Sequence, residues 1–149
     1  MKSDTTDQAF DNARQCKEDQ KLFADTGNHH MHLCDGELVI ALAIYRGNRY
    51  KSRTCNFAEL KCVYTTDPGR GLEQHLVRNL KWHLRDMLYS YILTWVSKAM
   101  VRTYEAQDFF VIEYGLLHED VKEFIPMQQD RVCMKFLLPD WMKNRFDLV

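Results

Sequence analysis

Two short acidic motifs frame the middle of the chain: Asp35-Gly36-Glu37 ahead of one apolar run, and Glu59-Leu60-Lys61 inside another. Read as strands, side chains alternate faces, so Asp35, Glu37 and Val39 share one face while Glu59 and Lys61 share another. Carboxylates grouped with a lysine can hold Mg²⁺ or Mn²⁺, hard cations that take a few carboxylates, a carbonyl and waters. The lysine then meets a phosphate or the attacking water. That is the chemistry of phosphodiester hydrolysis. An acid two residues before a lysine also marks an ordinary solvated strand face, and this pair alone does not choose between the two.

Charge supports a polyanion as partner. Residues 44–85 carry nine Lys or Arg against three acids, whereas the first 37 residues carry four against eight. A positive surface beside a carboxylate cleft attracts phosphates that the acids alone would repel, which points to RNA or a nucleotide. Arg78, Lys81 and Arg85 on a helix, and Arg49 in a turn at residues 46–53, are the candidate phosphate contacts. A surface whose basic and acidic parts pair with each other is the plain alternative.

The elements that must position these groups follow from periodicity. With 149 residues, 46% of them hydrophobic, one domain with a real core is expected. Residues 1–20 read as a flexible or helical lead, and residues 21–149 as the folded domain. Residues 21–24 form a short strand that turns at Asp25-Thr26-Gly27-Asn28 and returns as a strand over 30–44. Arg46-Gly47-Asn48 is the next turn, residues 57–65 a strand, and Asp67-Pro68-Gly69 breaks the sheet. From Gly71 a helix is predicted, with Leu72, Leu76, Leu80, Leu84 and Leu88 on one stripe. Periodicity allows it to run to about residue 104, or residues 92–96 can instead be a buried strand. Residues 109–114 suit either state, and residues 131–138 have room for two helical turns.

Other groups have less to offer. His30, His32 and Cys34 alternate onto one strand face and resemble half a zinc site, but no second ligand pair follows. Cys133 among apolar neighbours reads as core rather than nucleophile. Trp82 beside Lys81 and Arg85 is an even choice between base stacking and packing, while Trp95 reads as core. Five scattered cysteines and no apolar leader suggest a reducing compartment, nucleus or cytoplasm. The uncharged run at residues 87–97 is shorter than the roughly 17–25 residues of a membrane helix. It is core, or a face for a protein partner.

Gly27 with His29 or His30, then Gly36-Glu37, Glu59-Leu60-Lys61, Pro68-Gly69, Leu80-Lys81-Trp82 and Val132-Cys133-Met134-Lys135-Phe136 stand in an order that resembles the DXO family of decapping nucleases. That family belongs to the PD-(D/E)XK nuclease superfamily. The resemblance implies an α+β fold, a mixed β-sheet core flanked by helices in a single domain, with Mg²⁺ or Mn²⁺ as cofactor. The implied activity is hydrolysis at RNA 5′ ends: decapping, removal of NAD caps, or pyrophosphate release, with 5′ to 3′ digestion in some members. By position, Glu59 and the Leu60 carbonyl would ligate metal, Glu37 would contact metal-bound water or substrate, and Lys61 the scissile phosphate. The resemblance also favours a helix break near residues 89–91 followed by a strand. Departures thin the implied site: Val39 replaces a second acid, an upstream ligand falls before Met1, and Arg85 replaces a glutamine. Asp35 can offer a displaced carboxylate, about 13 Å along the strand from Val39 at about 3.3 Å per residue. The competing reading is an inactive descendant that binds RNA or a protein.

Overall fold

Alternating and continuous apolar runs become a six-stranded mixed sheet in the order β1-β2-β3-β4-β6-β5. The computed structural model describes residues 27–49, 56–67 and 69–138, so the expected strand at 21–24 and the lead at 1–20 lie outside the described residues. The chain divides into two compact units, residues 1–46 with 61–80, and residues 47–60 with 81–149.

In the first unit, β1 (His29–Asp35) pairs antiparallel with β2 (Leu38–Arg49), from His29↔Tyr45 to Asp35↔Leu38. The single strand expected over 30–44 is therefore two. Gly36 sits at φ +62, a left-handed conformation that glycine adopts without a Cβ clash, and it reverses the chain at Gly36-Glu37. Asp35 ends β1 and Glu37 lies in the turn, so the shared strand face expected for Asp35, Glu37 and Val39 does not exist. Ala41, Leu42, Ala43 and Ile44 are buried without a break, as a strand covered on both faces requires. The later part of β3 (Asn56–Thr65) and the start of α1 (Leu72–Asp86) complete this unit. Leu76, Val77 and Leu80 are fully buried, each contributing about 1.5–3 kcal/mol.

In the second unit, the end of β2 continues through Arg46-Gly47-Asn48, where a turn was expected, because glycine leaves space that Tyr89 fills. The helix α1 stops where the chain makes a Schellman closure: Leu88 N–H bonds the Arg85 carbonyl at 2.9 Å and Tyr89 N–H bonds that of Leu84 at 3.1 Å. Leu88, at φ +68, occupies the position where glycine is preferred. The break near residue 89 and the buried strand after it are thus one of the two alternatives that periodicity left open.

That strand, β4 (Tyr91–Ser97), pairs in parallel with the first part of β3 and antiparallel with β6 (Arg131–Leu137). Between them lie α2 (Val101–Glu105), the two-residue β5 (Phe110–Val111) on the sheet's outer edge, and α3 (Glu119–Lys122). β6 occupies the segment expected to be helical. Its ladder with β4 runs over seven consecutive pairs, and long-range pairing overrides local spacing in so short a segment. Among the described residues no helix is long and apolar enough to cross a membrane.

Candidate functional site

Glu59 is the one buried carboxylate among the described residues, 7% exposed. It reaches that position because β3 is a central strand whose Phe57, Ala58 and Leu60 are apolar and fix it against β4. The parallel ladder runs Phe57↔Tyr91, Ala58↔Ile92, Glu59↔Leu93 and Leu60↔Thr94, and stops one residue after Glu59. The Thr94 hydroxyl donates to the Leu60 carbonyl at 2.9 Å at that end. Phe57 joins Leu93, Trp95, Val121, Ile125 and Cys133 in one apolar cluster, with Tyr114 and Leu117 packed against it. Strand alternation puts Glu59 on the Phe57 face. Burial, and then the negative charge of Glu59, push the Cys133 thiol up to about 11. Cys133 is consequently a protonated core thiol, as its apolar flanks suggest.

The cover over this cluster is self-tied. Tyr114 Oη donates to the Ile125 carbonyl at 2.7 Å, and Lys122 Nζ donates to the Gly115 carbonyl at 3.0 Å. The Tyr114 ring lies 5.6 Å from that of Trp95, whose indole N–H is buried and has no acceptor among the described residues.

A second feature belongs to the first unit, where the chain leaves β3. Thr66 closes the strand end, its N–H and hydroxyl both bonding the Ile40 carbonyl, at 3.0 and 3.2 Å. Gly69 and Gly71 then take φ +90 and +74. A Cβ at Gly69 would meet nothing within 4 Å, and at Gly71 only Gln74 Oε1 at 3.9 Å, so the space before α1 is open. His75 N–H is bonded to the Gly71 carbonyl at 3.1 Å. The first-turn amides ahead of it have no carbonyl within the helix to meet, which makes this end an anion cradle. Arg70 adds a cation, in a surface pair with Asp67 at 3.2 Å. The signal was in the sequence: a strand, then Gly69-Arg70-Gly71, then an amphipathic helix. It was read there only as a sheet breaker.

The other candidates are scattered. Glu37 and Asp35 are exposed around the hairpin turn, and Lys61 is half-buried. Of the helix cations, Arg78 alone is exposed. Lys81 donates to the Gln107 carbonyl and lies 4.0 Å above the Phe136 ring, and Arg85 is buried, 3.5 Å from the Tyr89 carbonyl. Arg49 covers the Tyr89 ring at 4.2 Å. Half of the run at 87–97 is core: Ile92, Leu93, Thr94, Trp95 and Val96 are all buried.

No known family profile matches the sequence, and no curated protein matches it. Solved structures do. GCN5 from Tetrahymena superposes with a TM-score of 0.69 at 18% identity, covering 93% of this chain and 86% of that one. The catalytic domain of the Tetrahymena GCN5 histone acetyltransferase, in complex with coenzyme A, gives 0.54 at 21% identity over 73% of this chain and 64% of that one. A GNAT-family acetyltransferase from Staphylococcus aureus gives 0.60 at 12% identity over 87% and 79%.

The fold is that of the GNAT acetyltransferases. This overturns the resemblance to the DXO family: the α+β class holds, but the mixed sheet is not a PD-(D/E)XK core. The RNA 5′-end hydrolase goes with it, as does decapping. The expected Mg²⁺ or Mn²⁺ falls on separate grounds too. Among the described residues no group of three or more His, Cys, Asp or Glu could hold a metal ion, His30, His32 and Cys34 included. The landmarks misled because each is a short string, and Glu59-Leu60-Lys61 on a buried strand suits either fold.

Proposed function

We propose that the chain is an N-acetyltransferase that uses acetyl-CoA and a primary amine, with Glu59 as general base. The observation that carries this is the buried Glu59 carboxylate, set one residue before the β3–β4 ladder ends. Burying a carboxylate is costly, and such a group is worth its cost where a proton must be taken up. The likeness to the coenzyme A complex of the GCN5 catalytic domain supports the choice of donor. So does the glycine turn: two glycines at positive φ, open space beside them and a helix N-terminus suit a diphosphate.

Bound acetyl-CoA supplies an acyl group as a thioester. An amine arrives protonated at neutral pH and cannot attack until it loses a proton, which Glu59 accepts directly or through one water. The freed nitrogen would bond to the acyl carbon as the carbon–sulfur bond breaks, and the second proton it then sheds would pass to the departing sulfur as thiol. Within the first unit, Gly69-Arg70-Gly71 and the first-turn amides of α1 would hold the phosphates.

The test is thiol release from acetyl-CoA by the full chain with a panel of primary amines. Glu59→Gln is expected to lower turnover by about 10²–10⁴-fold, the usual worth of a positioned base. Calorimetry should meanwhile show coenzyme A still binding. Release no faster than spontaneous hydrolysis for every amine overturns the reading.

A further inference from the structure

We infer that His30 and His32 on β1 are one half of a zinc-class metal site, and that a second copy of this chain, pairing edge to edge along β1, supplies the other half. The inference goes beyond the acetyltransferase reading and stands without it. Alternation puts His30, His32 and Cys34 on one face of β1, and all three are exposed, while Met31 and Leu33 on the opposite face are half-buried. His29 belongs to that opposite face, where its ring lies 5.5 Å from that of Tyr45. Two residues apart on a strand, the backbones of His30 and His32 are separated by roughly 7 Å. The two imidazoles sense one another: burial first, then the charge of His32, then that of His29, lower the pKa of His30. Paired imidazoles are ligands for Zn²⁺, Cu²⁺ and Ni²⁺, whereas Mg²⁺ and Mn²⁺ prefer carboxylates and waters.

Within one chain the set stops short. Among the described residues no group of three or more His, Cys, Asp or Glu could hold an ion, and a structural zinc takes four protein ligands. The place of β1 in the fold says where two more come from. It is the outermost described strand at its end of the sheet, bonded to β2 on its inner side. Sheet edges are ordinarily guarded by lysine, proline or other charges, yet residues 29–34 contain no Lys, Arg, Asp, Glu or Pro. An antiparallel two-fold pair centred on Met31 sets His30 opposite His32 of the second copy, and His32 opposite His30 of the second copy. Opposed residues of neighbouring strands lie roughly 4.5–5.5 Å apart and share a face. Four imidazoles then surround one ion on the two-fold axis, with the two Met31 side chains meeting on the other face. Cys34 lies beyond the register shift between Leu33 and Cys34, opposite Asn28 of the second copy and outside the ring of four.

The experiment strips the full chain of metal with EDTA, removes the chelator, and titrates Zn²⁺ by calorimetry while light scattering on a sizing column follows the mass. One ion for every two chains is expected, with a doubling of mass that EDTA reverses. His30→Asn and His32→Asn should each weaken zinc binding at least tenfold and abolish the doubling, at an unchanged circular dichroism spectrum without metal. Cys34→Ser should leave both intact. Met31→Lys alters no ligand but opposes two cations at the centre of the pair, so it should block the doubling and lower the affinity. No heat on adding zinc, zinc bound by single chains without a change in mass, or binding that survives both histidine variants would overturn the site. Binding lost with Cys34→Ser, or a doubled mass indifferent to EDTA, would overturn it equally.

Discussion

Glycine serves opposite ends in two parts of this molecule. At Gly69 and Gly71, before α1, the absent side chains leave space that no described residue approaches closer than 3.9 Å, and the backbone takes conformations other residues resist. At Gly47, in β2, the space is taken: a Cβ there would overlap the Tyr89 hydroxyl and come within 2.6 Å of its ring carbon Cζ. Tyr89 is buried, with Arg49 stacked on it, so it has nowhere to go. Absence of a side chain is therefore packing in one place and open space in the other. Only the structure separates the two.

The contrast can be broken from the packed side first. Gly47→Ala is expected to destabilise the fold by about 2–3 kcal/mol, as overpacking of a filled site does. Chemical denaturation measures it, and pairing with Tyr89→Ala should recover part of the loss. A full-stability Gly47→Ala protein would mean the two residues do not compete. On the open side, Gly69→Ala meets no atom and should cost only the strain of positive φ, about 1 kcal/mol. Its larger expected consequence is a coenzyme A affinity at least tenfold weaker by calorimetry, whereas Gly47→Ala should leave affinity alone wherever the protein is folded.

A smaller effect of opposite sign is expected at the far end of the helix. Leu88 holds a left-handed conformation while 56% exposed, so Leu88→Gly removes strain and little burial. A gain of about 0.5–1 kcal/mol should appear as a higher Tm, after allowing for the greater freedom of glycine in the unfolded chain.

The smallest concerns pH. Burial lowers the pKa of His30 and His32 below the usual histidine value, and for His30 the neighbouring His32 and His29 add to it. A histidine depressed in the folded state contributes stability above its unfolded value, and that contribution fades as pH falls through about 6.5. His30→Asn should therefore reduce the loss of Tm between pH 7.5 and 5.5, and an identical slope in the variant would count against it.

Much of the fold was legible where a pattern spans several turns or one unbroken strand. The leucine stripe of α1 and the apolar run of β2 announce themselves, because burial on one helix face or on both sheet faces leaves only such patterns. β6 was misread because seven residues are too few to distinguish two helical turns from a strand, and its partner β4 decides. The hairpin at Gly36 does carry a turn signal, Asp35-Gly36, but reading Asp35 and Glu37 as ligands on one strand face hides it. At the site, Glu59 stood out by type, yet the chemistry assigned to it depended on a metal that required Glu37 nearby. Glu37 is in an exposed turn. Trp95 gave no hint in sequence that its indole N–H would be left over, which is a property of packing alone.

The two cross-links inside residues 114–125, from Tyr114 to the Ile125 carbonyl and from Lys122 to the Gly115 carbonyl, also bear on timing. A segment already tied to itself has surrendered its freedom during folding, so it keeps its shape without help from anything that meets it. Cutting one tie with Tyr114→Phe should show first as faster amide exchange across residues 114–125, ahead of any fall in Tm.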